Sequence, residues 1–219
     1  MKNDQFWAWY DKVAAPRLQI REISFRKIFE HLDRLDKPVT IVETGCVRMA
    51  DNWAGDGQST ILFDRYANTR PGSVVHTVDL NPAATAACVA LVSSAVTVYT
   101  GDSVVVLRTI AGTLKANNAT VDLLYLDSFD LDVNNPTPSA VHHLKELVSI
   151  AEVATKQTLV VVDDCASTAQ VVSMEPGKFN IISTPTIGGK GLYVAEYAKQ
   201  VGAALSFCHY QVGWTGLLG

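Results

Sequence analysis

The chain has 219 residues, 48% of them apolar and 18% charged, with a formal net charge of −4. That balance fits one soluble globular domain with a substantial core and leaves no basic footprint for nucleic acid. No apolar run approaches the ~20 residues that a membrane-spanning helix needs, and Met1 to Trp7 lacks the apolar stretch of a secretion signal. Cys46, Cys88, Cys165 and Cys208 form no Cys-x-x-Cys pair. The expectation is therefore a cytoplasmic protein without a zinc or disulfide framework.

Two helices are predicted first. In the second, Phe25, Ile28, Phe29, Leu32 and Leu35 recur at helical spacing behind a candidate cap, Ser24. Residues 1–37 thus read as a helical cap and 38–219 as the core of a single domain. Pro38 breaks into a strand at 39–44 that ends on Glu43-Thr-Gly45. A polar loop at 46–56 leads to a helix from about Gln58 to Tyr66. A second strand ends at Asp79, with Pro82 in the first turn of the next helix. A third, Ala95–Tyr99, leads into Gly101-Asp102-Ser103 and another helix. The fourth ends at Asp127 before a helix at about 138–150, and the fifth ends at Asp163-Asp164. Strand-then-helix units in succession predict a parallel, doubly wound sheet with helices on both faces. Beyond Asp164 the pattern gives a strand near Asn180–Thr184, a helix from Leu192 to Val201 and a late strand, Ala204–Tyr210.

Strands that stop at acids deliver carboxylates to the edge of the sheet where ligands bind. Glu43 at the first strand end would repel a diphosphate and suits a cationic ligand. Asp79 stands where doubly wound proteins hold a ribose diol. Together they indicate a ribose and a positive charge without phosphates, which describes S-adenosylmethionine. Asp127, Asp163 and Asp164 come from strands that this topology makes neighbours. Converging carboxylates repel unless one is protonated or a cation sits among them, and oxygen donors favour Mg²⁺, Mn²⁺ or Ca²⁺.

Over residues 39–165 the chain resembles the class I S-adenosylmethionine-dependent methyltransferases. Within them it resembles the metal-dependent catechol O-methyltransferase type and the macrocin O-methyltransferase and cephalosporin hydroxylase group. The resemblance rests on Val42-Glu43-Thr-Gly45, Gly57-Gln-Ser59, Val78-Asp79-Leu80-Asn81-Pro82, Gly101-Asp102-Ser103, Leu126-Asp127 and Val162-Asp163-Asp164. It implies a Rossmann-like, mostly parallel seven-stranded sheet. Glu43 and Gly45 would lie by the cofactor's amino-acid portion, Gly57 and Ser59 in the cofactor loop, Asp79 and Leu80 by the ribose, and Gly101, Asp102 and Ser103 by the adenine. Asp127 would touch the cofactor and, with Asp163 and Asp164, bind metal. The activity implied is O-methylation of a small hydroxylated acceptor. Alternatives are a metal-independent N- or O-methyltransferase, a hydroxylase-like relative and a non-catalytic binder of the cofactor. The sequence departs from the pattern at the extended loop Val47–Asp56, where Trp53 is a candidate lid. It departs again at Asp130, where catechol-type enzymes carry a lysine. Asp127, His142 and Lys190 are the catalytic candidates, and the candidate bases are His142, His143, Lys145, Lys190 and His209. Phe6, Trp7, Trp9 and Tyr10 are read either as a pocket roof, as a contact in a homo-oligomer or as ordinary packing.

Overall fold

The computed structural model describes residues 3–165, 167–175 and 178–219, and for 54, 56, 167–175 and 178–185 the backbone alone. Five parallel strands form the body of the main sheet: β1 (Thr40–Thr44), β2 (Val74–Asp79), β3 (Val96–Thr100), β4 (Val121–Leu126) and β5 (Ala154–Val162). A two-stranded antiparallel ribbon follows, β6 (Ser167–Glu175) and β7 (Lys178–Ile187). The last strands, β8 (Ala204–Cys208) and β9 (Val212–Thr215), complete the seven-stranded order β3-β2-β1-β4-β5-β9-β8, with β9 antiparallel to both neighbours. This is the Rossmann-like, doubly wound sheet that the sequence predicts. Strand order reverses between β1 and β4, so the crevice beyond their carboxyl ends is the natural ligand site.

Alternation along the central strands builds two cores, because successive side chains leave opposite faces. Ile41, Leu123, Tyr125, Leu159 and Val161 face one core. There they meet Phe25 and Phe29 of α3 (Glu22–Asp33) and Phe63 and Tyr66 of α5 (Ser59–Asn68). Val42, Leu124, Leu126, Val160 and Val162 face the other, against α7 (Ser103–Ala116), α8 (Thr137–Ile150) and α9 (Leu192–Val201). A smaller cluster joins Cys46 and Val47 to Ala84 and Cys88 of α6 (Pro82–Leu91).

The N-terminal segment runs through α1 (Asp4–Trp9), a π-helical turn at Tyr10–Ala14, α2 (Ala15–Leu18) and a 3-10 turn at Gln19–Arg21. Its aromatics pack rather than roof a pocket. Phe6 and Tyr10 are fully buried, with the Phe6 ring 4.5 Å from Phe29 and 5.0 Å from Tyr66. Ser24 does not cap α3. Arg21 holds that position, and the Ser24 hydroxyl donates back to the Arg21 carbonyl from inside the first turn. The late strand is two strands: β8 turns at His209–Gln211 into β9, whose short Val212-Gly-Trp-Thr stretch carries little periodicity. The extended first loop contains a short helix, α4 (Trp53–Asp56).

Candidate active site at the carboxyl edge of the sheet

A cleft of about 410 Å³ opens beyond the ends of β1, β4 and β5. Gly45, Ser59, Asp79, Asp127, Asp164 and Lys190 line it, together with Leu18–Arg21 from the N-terminal segment, Trp53 and Tyr210. A second cavity of about 100 Å³ adjoins it and shares Asp79 and Ser128. Its remaining walls are Val78, Leu80, Asp102, Ser103, Phe129 and His142.

Gly45 is required where it stands. Its φ is +81°, and a Cβ there would lie 2.6 Å from the Asp127 carbonyl oxygen. Only glycine lets the ends of β1 and β4 approach this closely. Gly57 is also at positive φ, and a Cβ there would lie 3.1 Å from the Arg21 side chain. Asp79 is held at the tip of β2: its Oδ1 accepts the Asn81 amide at 2.8 Å and its Oδ2 the Cys46 amide at 3.4 Å. Fixed between the two cavities, the carboxylate keeps lone pairs for a diol. Asp102 caps α7 by accepting the Val105 amide at 3.2 Å, and Ser103 pairs with His142 Nε2 at 2.9 Å. Gly101 lines neither cavity; its amide donates to the Asp79 carbonyl at 3.0 Å.

Glu43 lies beneath the cleft rather than in it. It is fully buried, and one carboxylate oxygen accepts the Thr60 and Thr77 hydroxyls at 2.7 Å each, while Oε1 has no partner. Burial pushes its carboxyl up to about 7, against the pull of the Ser59, Thr77 and Thr60 hydroxyls. An acid that has lost its water so completely prefers its proton. The anionic partner for a cationic ligand, expected of Glu43, is not where the sequence places it.

The acids at the ends of β4 and β5 converge as predicted. β5 stops at Val162, and Asp164 takes φ +48°, which turns its carboxylate back toward the cleft. The expected dication is replaced by protein. Lys190 Nζ lies 2.5 Å from Asp127 Oδ1 and 2.9 Å from Asp164 Oδ2, with its side chain 2% exposed. Arg21 Nε stands 3.6 Å from Asp163 Oδ2, and its guanidinium stacks on the Tyr210 ring with 4.7 Å to the centroid. Asp163 also accepts the Tyr125 hydroxyl at 3.0 Å and the Asp164 amide at 2.8 Å. Tyr210 donates to Asp164, and Gln211 to Tyr125. Among the described residues no group of three or more His, Cys, Asp or Glu is arranged to hold a metal ion. The donor set does not fit a dication, because an ammonium already sits between two of its three carboxylates.

Charge follows the same geometry. Burial and the Asp163 charge hold the Asp127 carboxyl well above the ordinary aspartate range, against the pull of Lys190. Burial favours loss of the Lys190 proton, but Asp127 and Asp164 outweigh it and raise that pKa. Asp164 is lowered: burial opposes this, yet Lys190, the Tyr210 hydroxyl and Arg21 prevail.

His142 lines the second cavity, away from the Asp127–Lys190 end, so it is not placed as a base there. His143 is completely buried, donating from Nδ1 to the Ser139 carbonyl at 2.7 Å, and burial holds it down at about 4. Both contact Glu146, one and nearly one turn on. Sequence reading misses Glu146. Its buried carboxylate accepts the Ser128 hydroxyl at 2.6 Å and the Thr44 hydroxyl at 3.1 Å, bracing the ends of β1 and β4. The His-x-x-x-Glu spacing on α8 is the signal that leads to it. Arg21 is missed too, and no local pattern connects it to Asp163.

No protein-family model and no curated protein matches this chain. Among solved structures, one described as a DhpI–SAH complex aligns with a TM-score of 0.43 at 10% identity, covering 97% of this chain and 93% of its own. An S-adenosylmethionine-dependent methyltransferase from Clostridium acetobutylicum aligns with a TM-score of 0.45 at 9% identity, covering 99% of both chains.

Proposed function

We propose that the chain is an S-adenosylmethionine-dependent methyltransferase that modifies a hydroxyl of a small molecule. The observation that carries this reading is Asp79, fixed at the tip of β2 and shared by the two adjoining cavities. A carboxylate so placed suits the ribose of a nucleoside. The smaller cavity, with Leu80, Ser103, Phe129 and His142, then takes the base, and the larger takes the amino-acid end and the acceptor. Bound there, S-adenosylmethionine supplies an electrophilic methyl on a sulfonium.

The chain's own part is alignment and proton handling, which suffices for an in-line displacement. As the acceptor oxygen bonds to the methyl and the carbon–sulfur bond breaks, the hydroxyl proton needs a destination. Asp127 is the fitted one: its carboxylate lines the cleft at the end of β4, with Lys190 on one oxygen. Leu18, Ile20 and Trp53 form the apolar side of the same cleft and would bound the acceptor.

Calorimetry with S-adenosylhomocysteine tests the reading. Asp79→Ala should weaken binding by about 10–100-fold, the worth of hydrogen bonds to a charged group. Equal affinity in the variant and the wild type, or no binding by either, would overturn it. Release of S-adenosylhomocysteine across a panel of hydroxylated acceptors then reports turnover.

A further inference from the structure

The geometry points to Lys190 as a built-in substitute for a divalent ion, the protein's own cation for holding an acceptor oxygen at the end of β4 and β5. Three carboxylates from adjacent strand ends need positive charge among them. Here each has one. Lys190 enters from the 3-10 turn Gly189–Gly191, directly after the β6–β7 ribbon, and reaches Asp127 at 2.5 Å and Asp164 at 2.9 Å. Arg21 approaches Asp163 at 3.6 Å from the 3-10 turn Gln19–Arg21. An ammonium has three N–H donors in a compact head. Asp127 and Asp164 take two, which leaves one for an oxygen ligand in the cleft that Lys190 lines.

A dication would bind these oxygens at about 2.0–2.6 Å and would stand against the same ammonium. The two cannot occupy the space together, so removing the lysine should create the metal site that the sequence pattern describes. The role of Lys190 toward an acceptor rests on the proposed methyl transfer. The exclusion of metal does not, and is tested without any nucleoside.

The experiment is a Mn²⁺ titration followed by paramagnetic resonance, on the wild type, Asp127→Asn, Lys190→Ala and the double variant of the last two. The wild type should show no saturable site at millimolar Mn²⁺. Lys190→Ala should bind one ion per chain at least about tenfold more tightly than the wild type binds any, and adding Asp127→Asn should abolish that site. Saturable binding by the wild type that Asp127→Asn removes would overturn the proposal, as would a folded Lys190→Ala with no site. If Lys190→Ala is insoluble, the wild type against Asp127→Asn decides alone: binding that depends on Asp127 refutes the proposal, and its absence supports it. A failed methyltransferase reading would show in the calorimetry and leave this titration unchanged.

Discussion

Two buried residues give the molecule opposing responses to pH. His143 titrates at about 4 in the fold against an ordinary 6.5 because burial disfavours its charge. Between those values the unfolded chain binds a proton that the native chain does not, so this contribution to stability is complete above 6.5 and declines as pH falls toward 4. Glu43 behaves oppositely. Its folded carboxyl, raised by burial from 4.5 to about 7, keeps a proton that the unfolded chain releases, so its contribution is present below 4.5 and is lost as pH rises through 7. Over the shared window the slopes offset each other. Glu43→Gln should remove that offset, so that from pH 7 to pH 4 its urea-unfolding stability falls by on the order of 3 kcal/mol more than the wild type's. A variant whose stability declines no more steeply than the wild type's over that range would refute a buried Glu43 that keeps its proton. Neither shift is legible in the sequence, since desolvation depends on which neighbours close around a side chain.

At the scale of elements, the strand ends were the readable part. Apolar runs stopping at Asp79, Asp127 and Asp163 announce both the parallel sheet and the edge that carries chemistry, because an acid inside a buried strand is costly unless it is hydrogen-bonded or neutral, as Glu43 is. What could not be read is which groups answer those acids. Lys190 follows a ribbon of which the sequence shows only part, and its burial comes from partners on β4 and β5. α8 supplies a sharper case. Its inward face of Ala140, His143, Glu146, Leu147 and Ile150 mixes polar with apolar residues, and Glu146 fastens Thr44 of β1 and Ser128 beyond β4. Glu146→Ala strands several buried hydroxyl and imidazole partners and should cost at least about 2 kcal/mol in urea unfolding. A loss below about 0.5 kcal/mol, the size of an ordinary surface change, would show that the carboxylate braces nothing.

The whole molecule is tied together by its first helices. Phe6 and Tyr10 enter the same core as Phe25, Phe63 and Tyr125, so the segment that ends in Arg21 is anchored on one side and lines the cleft on the other. Phe6→Ala should lower stability by about 3–5 kcal/mol in a single cooperative transition. A separate early transition with the main one unmoved would mean that the segment unfolds by itself. Gly45 carries a different kind of constraint. With no room for even a methyl group between it and the Asp127 carbonyl, the spacing between the ends of β1 and β4 in the cleft is set by main chain against main chain. Redesign of the cleft therefore has its freedom in the walls, at Leu18, Ile20 and Trp53, and none along that seam.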